Sequence, residues 1–278
     1  EIIIVDDGST DSSEQIIKKF LNNKKIKYIK NKTNRGTSYS RNRIIRNASG
    51  EVICFMDDDD FSESTRVTKQ IKALKKGNYP KNKLVACSTS MKREYNNGYK
   101  RYLLSMGTKG RLPKSNELAD YLLFYEKKKN VDYGFGMPTA SMLITKECFK
   151  KVGLFDENLK RVEDLDMAIR LSFNEVIFTG VPEILIKQTI SERQNKNAEI
   201  NYHSEVKVIK KNKAFLKKKK LFWHSMQWPK IRYFYFKRNF FKLLYSLLIL
   251  ILLNPRRSLT HLFETARKRL ILDLKINS

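Results

Sequence analysis

Four consecutive carboxylates follow a short apolar run in the stretch of residues 51–60, EVICFMDDDD. We expect residues 52–56 to form a buried strand that ends at the carboxyl edge of a sheet, where ligands bind in open α/β folds. Adjacent carboxylates repel one another when buried, and a divalent cation with a phosphate ligand would relieve that repulsion. The alternative is a solvated acidic turn. The four carboxylates are Asp57, Asp58, Asp59 and Asp60.

A second acidic pair, Glu163 and Asp164, falls where a predicted loop enters a predicted helix. The helix dipole favours a carboxylate at this position and allows it to be aimed into a cleft. Asp164 would suit a general base, and Glu163 would suit a group that binds the acceptor. The alternative is that both are ordinary acids of a helix start, which make caps and ion pairs.

A third acidic pair, Asp6 and Asp7, follows the apolar run of residues 1–5 and precedes Gly8, which permits a tight turn. Either this pair belongs to a pocket for a nucleotide base or it caps a strand–turn–helix joint. Arg41 lies on a helix predicted over residues 36–47. Its planar guanidinium could contact a diphosphate, although an arginine on a helix is usually solvated.

The elements that must position these residues alternate between strand and helix along about the first 75 residues. This alternation is typical of an α/β fold with a mostly parallel sheet and flanking helices. The chain has neither the glycine-rich dinucleotide fingerprint nor the phosphate-loop motif. We therefore expect any nucleotide to be held by acids and a metal, without a glycine cradle.

The charge balance is strongly basic: the 278 residues carry a formal net charge of +27, from 56 Lys and Arg against 29 Asp and Glu. Such a surplus indicates anionic partners, which are nucleic acid, an anionic membrane surface or phosphorylated substrates. Cys54, Cys87 and Cys148 have no metal-ligand or paired spacing, so we expect reduced thiols, with Cys54 buried, in a cytosolic setting. No amino-terminal signal peptide is visible, and we expect further residues to precede Glu1.

The composition changes near residue 190, which predicts two units: a catalytic α/β domain over residues 1–190 and a basic, aromatic-rich helical extension over residues 191–278. Within the extension, the apolar run of residues 243–253 is too short to span a bilayer. A basic helix rimmed by aromatic residues suits a membrane interface. The alternative is a helix docked on the domain.

Taken together, these stretches resemble glycosyltransferase family 2, whose members are inverting transferases with the Rossmann-like GT-A fold. The resemblance runs from residue 1 to about residue 187. It rests on EIIIVDDGSTD at residues 1–11, NRG at 34–36 with SRN at 40–42, SGEVICFMDDDD at 49–60, GLFD at 153–156 and EDLD at 163–166.

The resemblance implies a role for each acidic site. It implies that Asp6 and Asp7 bind the base of the nucleotide sugar and that Arg41 lies near its phosphates. It also implies that Asp57 faces the ribose side, with Asp58 beside it, and that Asp59 holds Mn²⁺ or Mg²⁺ on the diphosphate. Asp164 is implied as the catalytic base and Glu163 as the acceptor-binding group. The implied donor is a UDP-sugar and the implied acceptor a glycan or a lipid-linked hydroxyl, with no specific nucleic acid involved.

The implied setting is the inner face of a bacterial plasma membrane, where a peripheral cytoplasmic transferase would build cell-surface polysaccharide. Family members carry one further strand and helix ahead of the strand that opens this chain, and the loop after that strand helps to hold the base. Two alternatives remain: a nucleic-acid-binding protein, indicated by the charge, and an inactive membrane-peripheral scaffold, indicated by the missing strand and the basic extension.

Overall fold

A computed structural model of the chain describes residues 1–76, 84–190 and 197–277. The strands are β1 (Ile2–Asp6), β2 (Ile26–Lys30), β3 (Val52–Cys54), β4 (Asp60–Ser62), β5 (Val85–Tyr95), β6 (Lys100–Leu103), β7 (Leu143–Thr145) and β8 (Ile177–Ile190). The helices up to β8 are α1 (Ser13–Lys18), α2 (Thr37–Asn47), α3 (Arg66–Lys76), α4 (Glu117–Phe124), α5 (Lys146–Val152) and α6 (Glu163–Phe173). Those after β8 are α7 (Ala198–Lys211), α8 (Lys213–Lys218), α9 (Phe222–Phe236), α10 (Phe240–Leu253) and α11 (Pro255–Asn277).

The strands of the described residues form two sheets. Strands β1 and β2 pair in parallel, and a six-stranded sheet has the order β3-β7-β5-β8-β4 with β6 on the side of β5. In the larger sheet only β5 and β8 are parallel, so the sheet is mixed where the sequence predicted a mostly parallel one. The difference arises because antiparallel neighbours such as β5 and β6 can be joined by a short turn, which the strand–helix alternation does not reveal.

Strand β8 is a single strand of 14 residues between β5 and the edge strand β4, although the sequence predicts two short strands, over residues 175–180 and 183–187. Pro182 interrupts the sequence pattern because it cannot donate a ladder hydrogen bond. The register with β5 passes from Val181 to Ile184, so the strand continues through an irregularity at this point. As a result, β8 pairs with β5 on one side and with β4 on the other.

The main core lies between the larger sheet and helices α2, α5 and α6. Phe55, which follows β3, packs edge-on against Phe149 and Phe155. Asn42 on α2 both donates to and accepts from the backbone of Phe155, at 2.9 Å in each case. The segment that leads into α6 is therefore anchored to α2 by hydrogen bonds as well as by apolar contact.

The three cysteines are free thiols. Cys87 and Cys148 are buried, and burial raises the pKa of Cys87 to about 12 and that of Cys148 to about 11. Cys54 is half-buried, less than the sequence predicted, because it lies on β3 at the edge of the sheet order.

The extension after β8 is helical, as predicted. Val208 of α7, Leu216 of α8 and Phe222 of α9 share an apolar cluster with Leu123 of α4 and Ile169 of α6. No helix among residues 1–76, 84–190 and 197–277 has the length and apolar character needed to cross a bilayer. The predicted unit boundary after residue 190 adjoins residues 191–196, which lie outside the described part of the chain, and it stays a prediction.

Two buried histidines join the last helices to the rest of the molecule. His261 of α11 stacks on Tyr125 with ring centroids 3.7 Å apart and meets Trp228 of α9 edge-on. His224 of α9 lies 3.2 Å from the hydroxyl of Ser258 on α11. Burial, with nearby cations, lowers the pKa of both imidazoles to about 4, so both are neutral at pH 7.

We predict that acid destabilises this packing. An unfolded histidine takes up a proton near pH 6.5 and the folded ones only near pH 4, so the free energy of unfolding falls as pH drops through this window, by at most about 3 kcal/mol per histidine. His261→Phe keeps the aromatic stack and removes one titrating group, so urea unfolding between pH 7.5 and 4.5 should vary less with pH than in the wild type. His203→Gln is the control, since His203 is exposed, and it should keep the wild-type slope.

Candidate active site

A cavity of about 470 Å³ opens beside the end of β3 and the start of α6. The predicted site residues that line it are Arg41, Asp57, Asp58, Asp59, Glu163 and Asp164. Asp60 lines it as well, whereas Asp6 and Asp7 are not among its lining residues. Two acidic segments that lie about a hundred positions apart in the sequence therefore meet in one cavity.

Arg41 joins the two acidic segments. Its guanidinium donates to Glu163 at 2.6 Å and to Asp57 at 2.9 Å, and its side chain is only 9% exposed. Burial alone would lower the pKa of Arg41, but the two carboxylates outweigh that effect and raise it, so the side chain stays charged. The alternative of a solvated arginine on a helix does not apply here, since Arg41 is a buried cross-link between α2, the β3 end and α6.

The start of α6 has an unusual backbone conformation. Val162, the residue before the helix, has φ 56°, a left-handed conformation that a β-branched residue rarely adopts. Such strain is tolerated where contacts around the residue enforce its conformation. Here the next residue, Glu163, is held by its ion pair with Arg41. The strained turn brings both Glu163 and Asp164 to the cavity wall.

The carboxylates after β3 concentrate negative charge at the cavity. Asp60 accepts a hydrogen bond from Gln188 at 2.8 Å. Burial, with the neighbouring carboxylates of Asp57 and Asp59, raises the pKa of Asp60 to about 6 despite that bond. A bound cation would favour the ionised forms of these groups, so the donor set suits a hard divalent ion.

No cluster of three or more acidic, histidine or cysteine ligands that could hold a metal ion occurs within the described ranges. This arrangement still fits Mg²⁺ or Mn²⁺ bound with a nucleotide, because such ions commonly take one or two carboxylates and complete their coordination with phosphate oxygens and water. Asp59 lines the cavity, and its assignment as the residue that holds the ion stays a prediction.

Asp6 and Asp7 are engaged by donors of the protein itself. Asp7 accepts hydrogen bonds from the backbone N–H groups of Arg35 and Gly36 at 2.9 and 2.7 Å, at the start of α2. Asp6 accepts from the hydroxyl of Tyr28 at 2.7 Å. Gly8 turns the chain with φ 79°, and a Cβ there would lie 2.9 Å from the backbone of residue 33. The assignment of this pair to a nucleotide base stays a prediction.

A larger cavity of about 920 Å³ adjoins the first, and Arg93, Pro138 and Asp164 line both. Helix α11 forms part of its wall, through residues that include His261 and Lys268. Neither Arg93 nor Gln188 is predicted as a site residue, because the sequence around Arg93 predicts a hairpin or irregular loop and Gln188 lies beyond the strand predicted over residues 183–187.

Comparisons with known proteins identify the family and the fold of the chain. The family model described as Glycosyl transferase family 2 matches residues 1–143. The uncharacterised glycosyltransferase YfnE of Bacillus subtilis is 29% identical, over 62% of this chain and 52% of its own length. The uncharacterised glycosyltransferase MJ1057 of Methanocaldococcus jannaschii is 28% identical, over 80% of this chain and 72% of its own. The chain thus spans about half the length of the Bacillus relative.

A solved structure of S. aureus TarS residues 1–349 has a similar fold, with a TM-score of 0.59 and 17% identity over 93% of this chain and 72% of that one. A second TarS structure, described as a complex with UDP, has a TM-score of 0.55 and 19% identity over 86% of this chain and 64% of that one. At these identities the likeness concerns the fold alone.

The α/β architecture with its added helices is therefore that of a GT-A glycosyltransferase. The chain belongs to glycosyl transferase family 2, because the family model covers more than half of it. The predictions of family, fold class and enzyme class are thus confirmed.

We predict that Arg41→Gln destabilises the fold, because it leaves the half-buried Glu163 and the more exposed Asp57 without their counter-charge. The expected loss in the free energy of unfolding is about 2–4 kcal/mol, somewhat reduced by the exposure of Asp57. Arg46→Gln is the matched control on the same helix: Arg46 is half exposed and 3.8 Å from Glu157, so we expect a loss below about 1 kcal/mol. Equal losses in urea unfolding of the two variants would show that Arg41 is not a cross-link.

Proposed function

We propose that the protein transfers a sugar from a nucleotide-sugar donor to an acceptor hydroxyl, with inversion at the anomeric carbon. The observation that carries this proposal is that Asp57, Asp58 and Asp59 share one cavity with Glu163 and Asp164. A donor site and a catalytic base must lie within one substrate's length of each other for such a reaction.

On the donor side, we propose a UDP-sugar, since a similar fold is known in complex with UDP. Asp57 and Asp58 would face the nucleoside and sugar, and Asp6 and Asp7 the base. Asp59 would hold Mn²⁺ or Mg²⁺, which when bound offsets the charge that develops on the departing diphosphate.

On the acceptor side, Asp164 would accept the proton of the attacking hydroxyl as a general base. That hydroxyl attacks the anomeric carbon from the face opposite the leaving group, so a single displacement inverts the configuration. Glu163 would orient the acceptor through the carboxylate oxygen that Arg41 does not bind, since Arg41 donates to one of its two oxygens. Because the ion pair immobilises Glu163, the acceptor would meet a preorganised carboxylate.

We propose that the protein works at the inner surface of a membrane, on a lipid-linked or growing surface glycan. Helix α10 exposes one apolar face, on which Phe241 is 84% exposed, and α11 exposes another, on which Phe263 is 81% exposed. Further exposed apolar residues recur at helical spacing on both helices, namely Leu244, Leu248 and Leu252, and Leu259, Leu270 and Leu274. Basic residues precede α10, an arrangement that suits anionic headgroups.

The catalytic proposal predicts metal-dependent release of UDP from at least one UDP-sugar, even without an acceptor, because water can replace the hydroxyl. We expect Asp164→Asn to lower this turnover by at least about 100-fold. We expect Asp59→Asn to raise the Mn²⁺ concentration needed for half-maximal turnover. Asp11→Asn is the matched control, because Asp11 is exposed and lies outside the cavity. Turnover in the wild type no greater than in Asp164→Asn, across a panel of donors, would refute the proposal.

The membrane proposal predicts that the protein floats with vesicles containing phosphatidylglycerol and less with vesicles of phosphatidylcholine alone. We expect Phe241→Glu combined with Phe263→Glu to abolish flotation, since two charges would enter the interface. Phe20→Glu, at an exposed phenylalanine near α1, should leave it unchanged. Flotation of the double variant at the wild-type level would remove the α10–α11 faces from the proposal.

A further inference from the structure

Strand register places two aromatic side chains in one row across the larger sheet. Phe61 of β4 pairs with Lys187 of β8, which pairs in turn with Lys92 of β5. Lys92 then pairs with Tyr102 of β6. Residues in register on neighbouring strands point to the same face of a sheet. The two aromatic residues therefore stand at opposite ends of a row of four, three strand spacings or about 14 Å apart.

A third cavity, of about 700 Å³, lies over this row, and all four residues of the row line it. It is also lined by Asp58, Asp59, Asp60 and Thr189, each of which lines the smaller cavity as well. The third cavity thus adjoins the site proposed for sugar transfer. A molecule that reaches into the smaller cavity can continue over this face of the sheet.

The two aromatic rings of the row are exposed, so they add little to the stability of the core. Phe61 and Tyr102 are each 57% exposed, and Ile184, which lines the same cavity, is 39% exposed. A single exposed apolar residue is common, whereas several in one cavity rimmed by polar groups mark a binding site. The electronegative face of an aromatic ring attracts positively polarised C–H groups. The row therefore suits a ligand with flat C–H surfaces.

The charges around this cavity favour a ligand without net charge. The two lysines between the rings are both paired with Glu94, Lys92 at 2.7 Å and Lys187 at 2.9 Å. Their cations are thus already neutralised in part, while the carboxylates of Asp58 and Glu63 line the cavity. Carboxylates repel phosphate groups and anionic lipid headgroups, but they accept hydrogen bonds from hydroxyl groups.

We propose that a neutral glycan segment of the acceptor binds along this face of the sheet, with sugar rings stacked on Phe61 and Tyr102 and hydroxyl groups hydrogen-bonded to the carboxylates of the third cavity. This inference rests on the proposed function and names the chemistry of the acceptor beyond its reacting hydroxyl. A sugar ring has a face of C–H groups and a rim of hydroxyl groups, which match the aromatic faces and the acidic rim of the cavity. The ligand is an oligosaccharide, because one sugar ring covers only a fraction of three strand spacings.

The test measures equilibrium binding of oligosaccharides by isothermal titration calorimetry, without donor or metal. The neutral probes are pentamers of glucose, N-acetylglucosamine, mannose and galactose, and the anionic counterpart is the pentamer of galacturonic acid. We expect at least one neutral pentamer to bind, with an affinity that changes little with added salt. We expect the galacturonic acid pentamer to bind more weakly than that neutral probe, because the carboxylates of the cavity repel it.

Phe61→Ala is the informative variant, because Phe61 lines the third cavity alone, whereas Tyr102 also lines the larger one. We expect Phe61→Ala and Tyr102→Ala each to weaken binding of the neutral probe by about fivefold, and Phe61→Tyr to retain it. UDP affinity should not change in Phe61→Ala. Phe20→Ala is the matched control, since Phe20 is 58% exposed near α1 and does not line the third cavity. All of these variants should keep the wild-type thermal midpoint.

Three results would overturn the inference: no binding of any neutral pentamer, wild-type affinity in the double variant Phe61→Ala with Tyr102→Ala, or tighter binding of the galacturonic acid pentamer. The last result would assign oligosaccharide binding to the net positive charge of the chain. Failure of the proposed function would look different. Neutral glycan binding that depends on both rings, in a protein that releases no UDP from any donor, would contradict the transferase proposal and leave the glycan site intact.

Discussion

The buried guanidinium of Arg41 is the interaction on which the site depends. It neutralises one carboxylate from each of two acidic segments: Asp57 after β3, and Glu163 at the start of α6, 122 positions after Arg41 in the chain. Without a cation between them, these segments would repel each other across the cavity. The two carboxylates that it neutralises are not the ones assigned to the metal and to proton transfer. The cavity can therefore hold concentrated negative charge near Asp59 and Asp164 while the fold around it remains cross-linked.

The elements that carry the acidic motifs were predictable because their signals are local. Strand β2 has the predicted bounds, and α6 begins at Glu163 as the helix-start acids indicated. The short strand β4 was missed because it begins inside the acidic run, at Asp60. The buried face of α2 could not be predicted either, because the buried residues are mostly polar. They are Ser38, Arg41, Asn42 and Ile45. Hydrophobic periodicity cannot detect a helix face that is buried through hydrogen bonds and an ion pair.

The strand register that pairs Asp60 with Gln188, and Arg93 with both Gln188 and Arg101, could not have been derived from the sequence, because register between distant strands depends on the whole sheet. The positive charge of the chain was ambiguous for the same reason. A net charge of +27 indicated nucleic acid as readily as a membrane or a phosphorylated substrate. Only the three-dimensional arrangement shows which arginines are paired with carboxylates, as Arg232 is with Glu205. Family membership accounts for the acidic motifs, which a nucleic-acid-binding protein would not require.

Helix α11 supplies part of the wall of the larger cavity, although it follows every motif by which the family can be recognised. A fragment ending at β8 would keep the acidic residues of the smaller cavity, yet the larger cavity would be open to water where α11 now lines it. Relatives that share the motifs but differ in their last helices can thus be expected to differ in the shape of this second cavity. Substrate choice in this architecture would evolve at the carboxyl terminus, at a distance in sequence from the chemistry it serves.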